Sequence, residues 1–272
     1  VQKVSEEISD AHESQATDTV TERIPVLGVR FDALTMPTLI ERLDREVARG
    51  ERFRIAFANP EFVMESRKSA FLRRYLAMTR YTLADGIGIV WAARRSGGRL
   101  PQRVTGTDFT ERLAELCSRR GYSLFLLGGK PGVAEEARAR LLCAHPGLRV
   151  VGSMDGYFDN DELVVDAINQ ARPTFLMVCL GNPMQEDWIE KHFDRLDVQV
   201  AFGNGGALDF CSGRVARAPQ WMMRFSLEWL HRLSRDFTWR RIRRQTRLVG
   251  FVALVLARQV SATGKTISRV SE

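Results

Sequence analysis

Tyr122-Ser123-Leu124-Phe125-Leu126-Leu127 runs without a break into Gly128-Gly129-Lys130-Pro131-Gly132, and a helical pattern follows from Val133 to Cys143. An apolar run of this length, bounded by glycines, reads as a strand buried on both faces, and the Gly-rich turn opens a helix. The same unit recurs toward the C-terminus. Leu148 to Gly152 is a short strand, Asp161 to Ala171 a helix and Thr174 to Leu180 a buried strand. Gly181-Asn182-Pro183 turns that strand into a helix from Gln185, and Val198 to Phe202 is a strand running into Gly203-Asn204-Gly205-Gly206. Toward the N-terminus, Ile24 to Val29 reads as a short first strand, Thr38 to Arg49 as a helix and Phe53 to Ala58 as a strand. Glu61 to Met78 reads as one helix begun after Pro60. Tyr81 to Ala84 is a strand, Ile87 to Arg95 a helix, and Ser96 to Arg103 a loop. Strands alternating with helices imply right-handed βαβ units, so the fold class is α/β, a mainly parallel sheet with helices on both faces.

The 272 residues, 44% hydrophobic and 27% charged, suffice for one large domain with an appendage. The net charge of +7 is unevenly placed. Ten arginines and two acids lie between Arg214 and Arg247, a local excess of +8 that leaves the rest of the chain near −1. The expected division is a polar, disordered leader over 1–22, a core over 23–213, a basic aromatic-bearing helical appendage over 214–260 and a flexible tail over 261–272. The leader lacks the apolar region of a signal peptide. The longest apolar run, Leu248 to Ala257, falls short of the roughly 20 residues that cross a bilayer. Cys117, Cys143, Cys179 and Cys211 form no CxxC pair, which favours a reduced, cytoplasmic protein over a disulfide framework or a zinc site.

Ligands of parallel sheets bind at the carboxyl ends of the strands. Asn59, Asp85, Gly128-Gly129, Gly181-Asn182 and Gly203 to Gly206 all fall at such ends. The Gly128-Gly129 turn offers either a phosphate cradle or a tight βα turn. Asp85 offers either a general base or an N-cap for the helix after it. Asp159-Asn160-Asp161 has the DxD spacing of a divalent-metal site, but stands before a helix and reads as a cap, so no metal is expected. His12, His145, His192 and His231 share no ligand spacing and are expected at the surface or at caps. Trp221, Phe225 and Trp229 fall on one helical face inside the arginine-dense segment, a pattern suited to a membrane surface.

Several strings resemble one family when taken in order. They are Ala84-Asp85-Gly86, Arg103-Val104-Thr105-Gly106-Thr107-Asp108, Leu127-Gly128-Gly129, Gly156-Tyr157-Phe158, and Leu180-Gly181-Asn182-Pro183-Met184-Gln185-Glu186. Gly205-Gly206-Ala207-Leu208-Asp209-Phe210, the GRVARAP run from Gly213 to Pro219, and Leu227-Glu228-Trp229-Leu230 complete the set. From about Pro25 to Arg244 the chain resembles the WecG/TagA/CpsF glycosyltransferases. The resemblance implies a Rossmann-like core and metal-independent, inverting transfer from a UDP-sugar to a polyprenyl-diphosphate-linked sugar. The sugar would be N-acetylmannosamine or a hexose such as glucose, for a teichoic acid, capsule or exopolysaccharide. No cofactor is implied; dimers or trimers are. By position, Asp85 matches the family's proposed base, and Asn59, Arg103 and Thr105 the pocket beside it. Gly128, Gly129, Tyr157, Gln185 and Asp209 match the nucleotide-sugar side. Arg232, Arg240 and Arg243 match appendage arginines that close over the diphosphate at the inner face of the cytoplasmic membrane. The chain departs from the family pattern at Phe57, expected to alter the acceptor side or the sugar chosen, at Leu233 to Thr238, and at Asn204.

Three other functions compete. A non-catalytic nucleotide-sugar binder would not need Asn59, Asp85 and Arg103 together. A nucleic-acid binder fits the charge but lacks a recognition motif, so no nucleic-acid partner is expected. An NAD-dependent oxidoreductase would need a GxGxxG fingerprint with a downstream acid, and none is present.

Overall fold

The computed structural model of the protein describes residues 21–217, 219, 222 and 247–257. In chain order the elements are β1 (Arg23–Val26), β2 (Val29–Asp32), α1 (Met36–Ala48), β3 (Phe53–Ala58), α2 (Pro60–Ser66), α3 (Ala70–Met78), β4 (Tyr81–Ala84), α4 (Ile87–Arg95) and α5 (Gly106–Arg120). There follow β5 (Ser123–Gly128), α6 (Val133–Ala144), β6 (Arg149–Met154), α7 (Asp161–Ala171), β7 (Phe175–Cys179), α8 (Met184–His192), β8 (Val200–Gly203) and α9 (Ala207–Cys211). Residues 247–257 form a further helix, α10.

Strands β3 to β8 make one parallel sheet in the order β4-β3-β8-β7-β5-β6, as the α/β reading requires. Side chains alternate across it, as the two-residue period of a strand dictates. Phe57, Leu126, Met177 and Phe202 point to the side covered by α1, α5, α6 and α9. Ala58, Leu127, Val178 and Ala201 point to the side covered by α2, α3, α4, α7 and α8. Helix α10 joins this second layer, with Phe251 and Val255 buried in the same cluster as Phe62 and Val63 of α2. Arg247 adds ion pairs to Glu61 at 3.0 Å and Glu65 at 3.4 Å. The last apolar stretch of the expected appendage therefore packs on the core.

Three elements differ from the sequence reading. The expected first strand is half of an antiparallel hairpin, because Leu27 and Gly28 both take positive φ and reverse the chain. The expected single helix from Glu61 to Met78 is two, because Ser69 caps a new helix by accepting from the Leu72 amide at 3.2 Å. Helix α5 is new relative to the sequence reading, and its end signals are local: Thr105 is its N-cap, accepting from the Asp108 amide, and Gly121 ends it at φ 72°. Phe57, one of the departures from the family pattern, packs in the core, its ring centroid 5.0 Å from that of Phe109 and 6.2 Å from that of Phe202.

Candidate active site

The six parallel strands end on one edge, where α2, α4, α6, α8 and α9 begin. Helix N-termini carry partial positive charge, so this rim favours an anionic ligand.

At the β3–β4 end the backbone assembles the first group. The Asp85 amide donates to the Ala58 carbonyl at 3.1 Å, and the Val104 amide donates to the Ala84 carbonyl at 2.9 Å. These two bonds bring Asn59, Asp85 and the Arg103–Thr105 segment together from three separate parts of the chain. Asn59 is the N-cap of α2, its Oδ1 accepting from the Phe62 amide at 2.9 Å. The N-cap of α4 is Gly86, at φ 119°, so Asp85 stands one residue outside the capping position. Asp85 and Arg103 are half-buried, open enough to meet a substrate. Thr105 is buried and occupied: its Oγ1 accepts from the Asp108 amide at 3.2 Å and donates to the Asp108 carboxylate at 2.8 Å. Burial works against the charge of Asp108. Hydrogen bonds from Arg217 and Thr105 outweigh it and hold this carboxyl below the usual range.

The second group lies at the other end of the sheet. Five inter-strand steps of about 4.8 Å separate β4 from β6, roughly 24 Å. Tyr157 follows β6, is 71% exposed, and borders an open groove of about 360 Å³ with Gly132, Glu135, Ser153, Asp155 and Phe158. Packing alone already requires the two glycines of the β5 turn. A Cβ on Gly128 would lie 2.4 Å from the Cys179 carbonyl oxygen, and one on Gly129 2.9 Å from Val133. The Gly129 amide donates to Cys179 and its carbonyl accepts from Gly156. Both backbone groups of Gly129 are thus engaged within the protein.

Between these ends, the loops after β7 and β8 hold each other. Gln185 is buried, and its Oε1 accepts from the Gly205 amide at 2.9 Å. Its Nε2 donates to Glu186 at 2.8 Å. Asp209 sits half-buried in the first turn of α9. Asn204 reaches across to the start of α5, donating to the Gly106 carbonyl at 2.9 Å and to Thr110 at 2.7 Å. A Cβ on Gly106 would meet Asn204 at 1.9 Å, so glycine and asparagine form a pair that position-by-position reading cannot see. The start of the GRVARAP run is a strap. Arg214 holds Glu136 at 2.7 Å, and Arg217 pairs with Asp108. Both arginines, expected in the basic appendage, are instead engaged on the core.

The DxD residues are structural here. Asn160 caps α7, and the Asp161 carboxylate accepts from Trp188 at 3.1 Å, Lys191 at 2.6 Å and His192 at 3.0 Å. His192, expected at the surface or at a cap, stands at the N-cap position of the turn Phe193–Arg195 and is 1% exposed, because it packs on Trp188 and shares Asp161 with it. Among the described residues no cluster of three or more potential ligands could hold a metal ion. Arg232, Arg240 and Arg243, and the Trp221, Phe225, Trp229 stripe, lie outside the described residues.

The sequence profile of the Glycosyl transferase WecG/TagA/CpsF family matches residues 24–265. The chain belongs to this family. It is a glycosyltransferase. Among its relatives are two proteins named N-acetylglucosaminyldiphosphoundecaprenol N-acetyl-beta-D-mannosaminyltransferase. The one from Bacillus subtilis (strain 168) is 33% identical over 69% of this chain and 74% of its own length. The one from Staphylococcus aureus (strain MRSA252) is 31% identical over 82% of this chain and 88% of its own length. Both names give N-acetylmannosamine, not glucose, as the sugar those relatives transfer. No helix of the described residues in this glycosyltransferase is long and apolar enough to cross a membrane.

Proposed function

We propose that this glycosyltransferase moves N-acetylmannosamine from a UDP-sugar to a polyprenyl-diphosphate-linked N-acetylglucosamine, for a bacterial cell-wall polymer. The observation that carries the reading is the meeting of Asn59, Asp85 and Arg103 at the joined ends of β3 and β4. The relatives' names supply the sugar and the lipid acceptor. In the proposed reaction the acceptor hydroxyl oxygen attacks the anomeric carbon from the face opposite the diphosphate. Asp85 takes the hydroxyl proton. The bond from the anomeric carbon to the diphosphate oxygen breaks, its electron pair leaves with UDP, and the configuration inverts. Charge on the leaving diphosphate is met by Arg103, by helix N-termini and by Arg232, Arg240 and Arg243 of the basic segment. Arginine takes the place that a divalent ion fills in other transferases. The engagement of Asp161 by Trp188, Lys191 and His192 supports a reaction without metal.

The acceptor is a lipid, so the reading places the enzyme at the inner face of the cytoplasmic membrane. The seven arginines from Arg224 to Arg244 favour an anionic surface, each contributing about 1 kcal/mol near it. A donor screen tests the whole reading: UDP-sugars offered with a synthetic polyprenyl-diphosphate N-acetylglucosamine, with and without EDTA, and products read by mass spectrometry. UDP-N-acetylmannosamine should give product in EDTA. Transfer of glucose alone would overturn the sugar. Activity that vanishes in EDTA and returns with magnesium would overturn the metal-free reaction.

A further inference from the structure

Glu186 is a buried carboxylate held by neutral amides. It is 3% exposed, and its two oxygens have different partners. Oε1 accepts from Gln185 Nε2 at 2.8 Å, and Oε2 accepts from Asn182 Nδ2 at 3.1 Å. Gln185 in turn accepts the Gly205 amide at 2.9 Å. A chain of side chains therefore runs from the loop after β7, through Glu186, to the loop after β8. Gln185 fits only because Gly203 has no side chain, since a Cβ there would lie 2.6 Å from Gln185 Nε2.

Among the described residues no cation forms an ion pair with this carboxylate. Glu65 of α2 faces it and repels it, and Glu65 is itself paired with Arg247 of α10. Tyr75 of α3 lies close by, with Arg54 of β3 and Glu190 of α8 around it. The Tyr75 hydroxyl is buried and finds no hydrogen-bond partner among the described residues. A buried acid among other acids is costly, and a neutral residue would pack there without that cost.

We infer that Glu186 is a positioning residue that sets the loops after β7 and β8 in their substrate-binding arrangement by accepting from Asn182 and Gln185 together. The inference rests on the proposed transfer from a UDP-sugar, with Gln185 on the nucleotide-sugar side as the family resemblance implies. Both arms need acceptors. Protonation puts an O–H on one oxygen, which then faces an amide N–H group, and one arm is lost. Burial, the largest influence, pushes the Glu186 carboxyl up to about 7, while the bonds from Gln185 and Asn182 hold it from going further. The clamp accordingly loosens as pH falls through neutrality.

The test compares the wild-type protein with Glu186→Gln and Asn182→Ala. In wild type, kcat/KM for UDP-N-acetylmannosamine should fall as pH drops through about 7. Glu186→Gln should abolish that limb and raise the KM for the sugar nucleotide about 10- to 100-fold at pH 8, with kcat changed less, the scale of a small misplacement. Asn182→Ala removes a donor that favours the ionised form, so it should move the limb to higher pH. A merely structural residue would produce no such pair of shifts. A second readout needs no substrate: at pH 8 the Gly205 amide should exchange with deuterium roughly tenfold faster in Glu186→Gln, the scale of one lost hydrogen bond. If Glu186→Gln does not fold, Asn182→Ala decides through the limb. A wild-type pH profile together with wild-type Gly205 exchange, in either variant, overturns the clamp. A wild-type enzyme that uses no UDP-sugar overturns the proposed function instead, and the exchange measurement still tests the clamp.

Discussion

Two buried glutamates stand at opposite ends of the same sheet. Glu46, at the foot of the strands, accepts from Arg80 at 2.9 Å and from the Tyr81 hydroxyl at 2.6 Å. Arg80 also reaches Glu51 at 3.4 Å. Its bond to Glu46 raises the Arg80 guanidinium above its ordinary value, and burial together with Glu46 lifts the Tyr81 hydroxyl to about 12. Nearby, buried Asp32 accepts from the Thr82 amide at 2.7 Å and from Arg23 at 2.9 Å. Glu46 and Asp32 at the foot each have a cationic partner. Glu186, at the rim, has amides and other acids. The two glutamates therefore differ in their partners: the foot pairs Glu46 with a cation, and the rim holds Glu186 with amides at the carboxyl ends of the strands, where parallel sheets place their ligands.

The largest effect that would sharpen this contrast is at the rim. Asp85→Asn should lower turnover by about 100- to 10,000-fold, the contribution of a positioned base, and leave a cooperative melt near that of wild type. Near-normal turnover in a multiple-turnover assay would remove Asp85 from the chemistry.

Glu46→Ala is the matching change at the foot. It removes two charge-assisted contacts but leaves Arg80 about half exposed and able to find water. The expected loss is therefore about 2 kcal/mol rather than the larger penalty of a fully buried pair. That corresponds to about 4–8 °C in Tm, read by thermal denaturation, with kcat unchanged below the transition. If kcat fell as far as in Asp85→Asn, foot and rim would not be separable in this way.

The smallest effect is the pH dependence of stability. The folded-state pKa of Glu186 is raised from 4.5 to about 7. Its stabilising contribution is therefore present below about 4.5 and lost as pH rises through about 7. Asp108 and Asp161 are shifted downward and act in the opposite sense at more acid pH, so they leave this window alone. The Tm of wild type relative to Glu186→Gln should fall between pH 5 and pH 8. A difference that stays constant across that range would mean that Glu186 does not titrate there.

Much of the architecture was legible residue by residue. Phe53 to Ala58, Tyr81 to Ala84 and Asp161 to Ala171 were bounded as the structure has them. A two-residue or 3.6-residue apolar period, closed by Pro, Gly or Asn, needs no distant partner to be recognised. The structure departs from the local pattern where the signal is weak. Leu27-Gly28 is a poor match to the usual hairpin pairs, and Ser69 interrupts a run whose apolar period otherwise continues. The site was legible as a set of strand ends but not as a set of contacts. Asn59, Asp85 and Arg103 could be named. The capping bond of Asn59 and the attachment of Val104 to Ala84 could not.

By itself the sequence determined most of the strands and helices, that the sheet is mainly parallel, and that the polar residues Asn59, Asp85 and Asn182 sit at or just beyond strand ends. These follow from steric and hydrophobic preferences acting within a few residues. Only the tertiary structure decided the order β4-β3-β8-β7-β5-β6, which makes neighbours of Ala58 and Ala84, sets Asn204 against Gly106, and buries Glu186 between two amides. Strand neighbours are chosen by how helices far apart in the chain pack over the sheet, and no period along the sequence carries that information. The burial that lifts the Glu186 carboxyl to about 7 is a property of that packing and has no counterpart in the one-dimensional string.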